Sequence, residues 1–223
     1  SGLVGSEMCI RDRAQALHQW VTQNIRYVSL TLEDGGLVPW PLTKVLADRF
    51  GACKEQAQLF QALLKARGID SEPVLVNQGS SYRLPDLAVH YPVNHIITYI
   101  PSLDVYADTT STMTPFGEMY QGMQGKPVIL ARSGTVARIP YSPGEKNRTA
   151  SLIHLSMADD GSVTGQSITT ISGWPAVWAR DARDASRDMD PEGQVRGRLQ
   201  DRRLTGRGEI TSSEPRQLHL PYE

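Results

Sequence analysis

The sequence predicts an α+β fold: N-terminal helices precede an antiparallel sheet, and a β-rich stretch with a charged helix follows. Three patterns carry that expectation. Apolar residues recur at helical steps over residues 14–25 and again from residue 53. Short β-type runs come next, at residues 73–76, 93–100, 105–108 and 127–130. After Arg132 the composition shifts, and residues 152–171 read as strand, turn, strand ahead of an Arg- and Asp-rich segment.

The elements follow in order. Ser1 to Arg13 shows no clean helical or strand period and does not begin with Met. It resembles translated sequencing-adapter read-through, so residues 1–13 are set aside as an artefactual tail. Ala14, Leu17, Val21 and Ile25 form one helical stripe. Arg26 to Leu30 turns β-like, and Glu33-Asp34-Gly35-Gly36 with Pro39-Trp40-Pro41 make a stiff loop. Thr43 to Phe50 reads as a short helix broken by Gly51. The helix from Cys53 is the clearest element, with Ala57, Phe60 and Leu64 on its inner face. Gly68 is placed to cap it in a left-handed conformation. Pro101 to Asp104 is turn-rich, so the strands on either side pair as a hairpin. Residues 79–92 and 113–125 read as loops. Residues 14–132 then form a core and 133–223 a β-rich trailing segment. In the latter, Trp178 to Leu204 reads as a solvated helix, with Arg180, Arg183 and Arg187 opposite Asp184, Asp188 and Asp201. The end at Leu218 to Glu223 has no terminal element, so the chain reads as a fragment.

Composition removes several function classes. Lys plus Arg is 23 and Asp plus Glu is 24, a formal net charge of −1. No polybasic surface follows the phosphates of a nucleic acid, and nucleic acid is excluded as a partner. No apolar run approaches the ~20 residues of a membrane span. Two cysteines build neither a disulfide framework nor a Cys-rich zinc site. The expectation is therefore no metal and no cofactor, with chemistry resting on a few side chains.

Cys53 opens a buried helix, and His95 and Asp108 follow on adjoining strands. An ordinary thiol titrates near ~8.5, and a helix N-terminus with a nearby imidazolium lowers that value. In that arrangement His95 holds the ion pair and moves the proton, while Asp108 fixes the ring's tautomer. Taken singly, each residue has a structural reading: a packed small hydrophobe, a satisfied strand histidine, a turn aspartate. Spacing alone does not decide between the two. The backbone N–H of Cys53 is one natural oxyanion donor. Trp40 reads as a plug between prolines and Tyr27 as core. His90 is a substitute base in a loop, and His18, His154 and His219 read as ordinary surface or core residues.

The stretch Gly51-Ala52-Cys53-Lys54-Glu55-Gln56-Ala57 with Leu59 to Ile69 resembles the nucleophile helix of bacterial transglutaminase-like proteins, members of the papain-like superfamily. Asn94-His95-Ile96-Ile97 and Tyr106-Ala107-Asp108-Thr109-Thr110 are similar to that family's histidine and aspartate segments, in the same order. Ile25-Arg26-Tyr27-Val28 resembles its lead-in, and a weaker likeness to its trailing β-rich segment runs toward residue 210. The resemblance implies a papain-like or transglutaminase-like core and catalysis by Cys53, His95 and Asp108 through a thioester acyl-enzyme. It further implies a peptide or protein substrate and, by analogy, a periplasmic or cell-envelope setting. Two departures stand out: Ala52 and Glu55 replace aspartates that the family commonly carries. Ala52 motivates a rival reading, a non-catalytic binding module on the same scaffold.

Overall fold

The computed structural model describes residues 2–29, 38–84, 93–218 and 220–223, with side chains from residue 10 onward. The Glu33-Asp34 turn, His90 and His219 lie outside the described residues. The chain divides into two units, residues 1–142 and 143–223.

In the first unit the stripe read from residue 14 belongs to a longer helix, α1 (Gly2–Asn24). Ala14, Val21 and Ile25 are buried as expected. The helix begins at Gly2 rather than at residue 14. Ile10 packs against the same core, and the Arg11 guanidinium lies 6.0 Å from the centre of the Phe116 ring. Such long-range contacts leave no local period in the sequence.

Helix α2 (Leu42–Asp48) ends earlier than Gly51. Arg49 terminates it in a left-handed conformation, its N–H bonded to the Val45 carbonyl. Strands β1 (Arg26–Tyr27) and β2 (Phe50–Gly51) then pair in parallel. Gly51 has a different role from helix breaking. A Cβ there would sit 2.7 Å from Cβ of Glu55, so only glycine permits this approach to the next helix.

Helix α3 (Cys53–Ala66) buries Ala57, Phe60 and Leu64. It closes in a complete Schellman motif: Ile69 N–H bonds to Leu64 O, Gly68 N–H to Lys65 O, and Gly68 has φ +71. Behind it lies a five-stranded antiparallel sheet of β3 (Glu72–Val76), β4 (His95–Ile100), β5 (Val105–Ala107), β6 (Pro127–Leu130) and β7 (Val136–Arg138), ordered β5-β4-β3-β6-β7. The expected β4–β5 hairpin forms through Pro101–Leu103. β7 was not legible, because it has three residues of which Val136 and Arg138 are exposed. Its return to the sheet carries the first unit past the boundary expected at residue 132.

Two cores flank the sheet. One joins α1, α2 and α3 through Val21, Val45, Phe60 and Leu64 to Ile100 and Ala107. The other packs Met119 and Met123, from the expected 113–125 loop, on Val74, Val76, Ile97 and Val128. Burying a full aliphatic side chain contributes about 1.5–3 kcal/mol, so these layers hold the site elements rigidly.

The second unit contains the hairpin of β8 (Arg148–Met157) and β9 (Val163–Ser172), turning at Asp160-Gly161 as read. The single charged helix expected over residues 178–204 is two helices, α4 (Trp174–Ala185) and α5 (Pro191–Gln200). Asp190 caps the second by accepting from Glu192 and Gly193 N–H, and Pro191 occupies the first helical position. Arg187 pairs with Asp184 at 2.7 Å on the exposed side. Arg180 departs from the solvated reading: it is buried and donates to the Leu220 carbonyl at 2.6 Å.

Candidate active site

The N-terminus of α3 places Cys53 at the first helical position, where backbone N–H groups are unpaired by the helix. Glu55 fixes this end. Its Oε2 accepts from Ala52 N–H at 2.9 Å and its Oε1 from Trp40 N–H at 3.2 Å, in a buried position. The same carboxylate thus ties the helix start to the proline-flanked loop, which explains an acid at this position. Gln56 adds a second tie, donating to the Ile25 carbonyl at 2.9 Å. Glu55→Ala is expected to leave two N–H groups without partners and to cost about 2–4 kcal/mol, read as a lower urea midpoint.

His95 opens β4 opposite Val76 of β3. The β4–β5 ladder ends at Thr98 with Ala107, so one further step sets Asp108 opposite Ile97. His95 is two residues along from Ile97, on the same face and at a diagonal. The side chains meet there: His95 Nε2 and Asp108 Oδ2 are 2.8 Å apart, both residues buried. Asp108 Oδ1 accepts from Thr110 N–H at 2.9 Å and from Thr110 Oγ1 at 2.8 Å. With Nε2 committed to Asp108, the hydrogen bond between His95 and Cys53 falls to Nδ1. The thiol also receives backbone N–H groups of Ile96 and Lys54.

The electrostatics follow from this geometry. Burial alone would push the Cys53 thiol up, but the His95 hydrogen bond, its charge and the two backbone donors bring it below the ordinary value. Burial alone would lower the His95 imidazole. Hydrogen bonds and charges from Asp108 and Cys53 outweigh it and push the ring up to about 10. Burial would raise the Asp108 carboxyl, yet His95 and Thr110 hold it below the usual carboxylate range. These shifts all favour the same arrangement, a thiolate, an imidazolium and a carboxylate in a row.

Other expected residues fall as follows. Trp40 is the plug anticipated, half-buried edge-on to Phe50 at 5.7 Å. Tyr27 is not core: it is 38% exposed, and its hydroxyl is raised by partial burial and then by the charge of Cys53. His18 is buried and has a partner that the sequence did not reveal. Its Nε2 lies 2.7 Å from the Asp108 carbonyl oxygen. His154 is exposed on β8.

With this geometry in place, residues 2–95 match the model of the transglutaminase-like superfamily. Over those residues the chain is similar to that superfamily. The transglutaminase-like match contains Cys53 and ends on His95, while Asp108 lies beyond it. The α+β arrangement of helices before an antiparallel sheet agrees with that family's fold. Among solved structures, a candidate protease from Parabacteroides distasonis is similar over 67% of this chain and 31% of its own, at 17% identity and a TM-score of 0.48. The chain therefore spans less than a third of that protein's length. No curated protein matches the chain. None of the helices among the described residues is long and apolar enough to cross a membrane.

Proposed function

We propose that the chain performs cysteine-dependent acyl transfer or amide hydrolysis on a peptide or protein through a thioester acyl-enzyme. The observation that supports this most is the row of contacts from the Cys53 thiol through His95 to Asp108, set at a helix N-terminus. The Cys53 thiolate attacks an amide carbonyl carbon, forming the C–S bond and placing negative charge on the carbonyl oxygen. The backbone N–H of Cys53 is the nearest natural donor to that oxygen. The imidazolium of His95 gives its Nδ1 proton to the departing amine as the C–N bond breaks. Water or a second amine then attacks the thioester and passes its proton back to Nδ1. The thiolate leaves, and the cycle closes. Asp108 stays ionised throughout and keeps the Nε2 proton directed toward itself.

Iodoacetamide alkylation tests the first requirement, resolved by mass spectrometry so that Cys9 and Cys53 are read separately. Cys53 is expected to react at pH 6–7 at least about tenfold faster than a free thiol, because pairing with His95 lowers its titration and enlarges the thiolate fraction. A peptide thioester adduct that forms on the chain but not on Cys53→Ala would support turnover. A Cys53 that alkylates like a free thiol would overturn the reading and favour a binding module.

A further inference from the structure

We infer that His18 is a positioning residue for the nucleophile: by donating from Nε2 to the main-chain carbonyl of Asp108, it fixes the carboxylate that holds the His95 ring against Cys53. The inference rests on the reading given under Proposed function and adds a fourth member to it. Asp108 is one residue past the last paired residue of β5, so the ladder does not fix its carbonyl. His18 does so from α1, at 2.7 Å. A carbonyl oxygen only accepts, so the proton on that nitrogen belongs to His18, and the Nε2–H tautomer is set.

The surroundings argue against simple filling. His18 is fully buried and lies edge-on to Phe60 and Phe116, at 5.7 and 5.6 Å between ring centres. Leucine or phenylalanine would satisfy such a site without burying ring nitrogens. Burial in this box lowers the imidazole, so His18 stays neutral and acts as a donor without adding charge. Among the described residues the ionisable groups facing the row are few. Asp108 faces His18, Tyr27 on β1 faces Cys53 and Asp108, and His95 on β4 lies between them. On α3, the Lys54 ammonium lies 3.7 Å from Glu55, whose oxygens bind Ala52 and Trp40. His18 therefore acts on the thiol through Asp108.

The test compares site-resolved alkylation of Cys53 against pH in the full chain, in His18→Phe and in His18→Gln, with urea midpoints measured alongside. His18→Phe is expected to raise the midpoint of the thiolate limb by about half to one pH unit, the effect of loosening one hydrogen bond. His18→Gln places an amide N–H where Nε2 was and is expected to restore the midpoint. If both variants keep the wild-type midpoint while stability falls, His18 only packs and the inference is overturned. A wild-type midpoint at the free-thiol value would instead overturn the acyl-transfer reading itself. Should His18→Phe fail to fold, nitrogen NMR of the wild-type ring decides: the Nε2–H tautomer supports the inference, and the Nδ1–H tautomer overturns it.

Discussion

His95→Ala is expected to return Cys53 to a thiol at neutral pH and to abolish acyl transfer. The pairing with His95 outweighs burial at Cys53, and without it the burial remains. An unpaired thiol titrates near ~8.5 or above, so about 1% or less is thiolate at pH 6.5. Alkylation there should fall by about 10–100-fold, less than the thiolate fraction does, because a more basic thiolate is a better nucleophile. Acyl transfer should fall by about a thousandfold or more, since the donor to the leaving amine is lost as well. The pH profile gives the clearer sign. In the variant, alkylation should keep rising through pH 8–9, whereas the wild type should already have levelled. His95→Gln, which keeps more of the volume, separates the lost proton carrier from a cavity effect and should behave like the alanine variant. A His95→Ala chain that alkylates at the wild-type rate would show that the imidazole does not activate the sulfur.

Why the sequence disclosed some of this and not the rest has a physical basis. Cys53, Ala57, Phe60, Leu64 and Gly68 were legible because a helix repeats locally and its left-handed cap demands a particular residue. The hairpin of β4 and β5 was legible because a short turn fixes its register. Helix α1 was read too short: Arg11 and Ile10, before Ala14, meet Phe116 and the core rather than extend a local stripe. The break at Pro191 was missed although Asp190-Pro191 is a cap followed by a first-turn proline. At the site, the order of Cys53, His95 and Asp108 was visible in the chain. The role of His18 was not, because a hydrogen bond between elements far apart in sequence has no period to detect. Glu55 and Thr110 bond locally to Ala52 and Asp108, and were missed although an acid in the first helical turn and a threonine after an aspartate are cap and turn signals. His18 in particular sits on the apolar stripe of α1, where a histidine reads as one more core residue.

Asp108→Asn is expected to reduce acyl transfer by about 10³–10⁴-fold while preserving the shape of the site. Thr110 makes this substitution informative. Its N–H and hydroxyl both donate to Oδ1, so an asparagine must keep its oxygen there and turn its amide NH₂ toward His95. Nε2 then has to accept, which places the ring proton on Nδ1 and excludes the imidazolium. The thiolate loses its cation. Stability should change with pH in a defined way. Asp108 is depressed in the fold, so its contribution is present above the ordinary carboxylate value of ~4 and is lost as pH falls through the folded value. His95 is raised, so its contribution is complete below ~6.5 and is lost as pH rises through about 10. Cys53 is lowered, so its contribution is complete above ~8.5 and declines as pH falls. Between ~6.5 and ~8.5 the last two slopes cancel, because thiolate plus imidazolium and thiol plus imidazole each hold one proton. The wild type should therefore show a plateau over that interval and lose stability on both sides of it. His18 is neutral in the fold and charged when unfolded at low pH, an acid loss that both chains share and that cancels in their difference. The stability gap between wild type and Asp108→Asn, from urea midpoints, should be widest on the plateau and close toward pH 3 and pH 10. A gap independent of pH would mean that Asp108 contributes packing alone, and a variant that retains rapid Cys53 alkylation at pH 6.5 would detach the carboxylate from the sulfur.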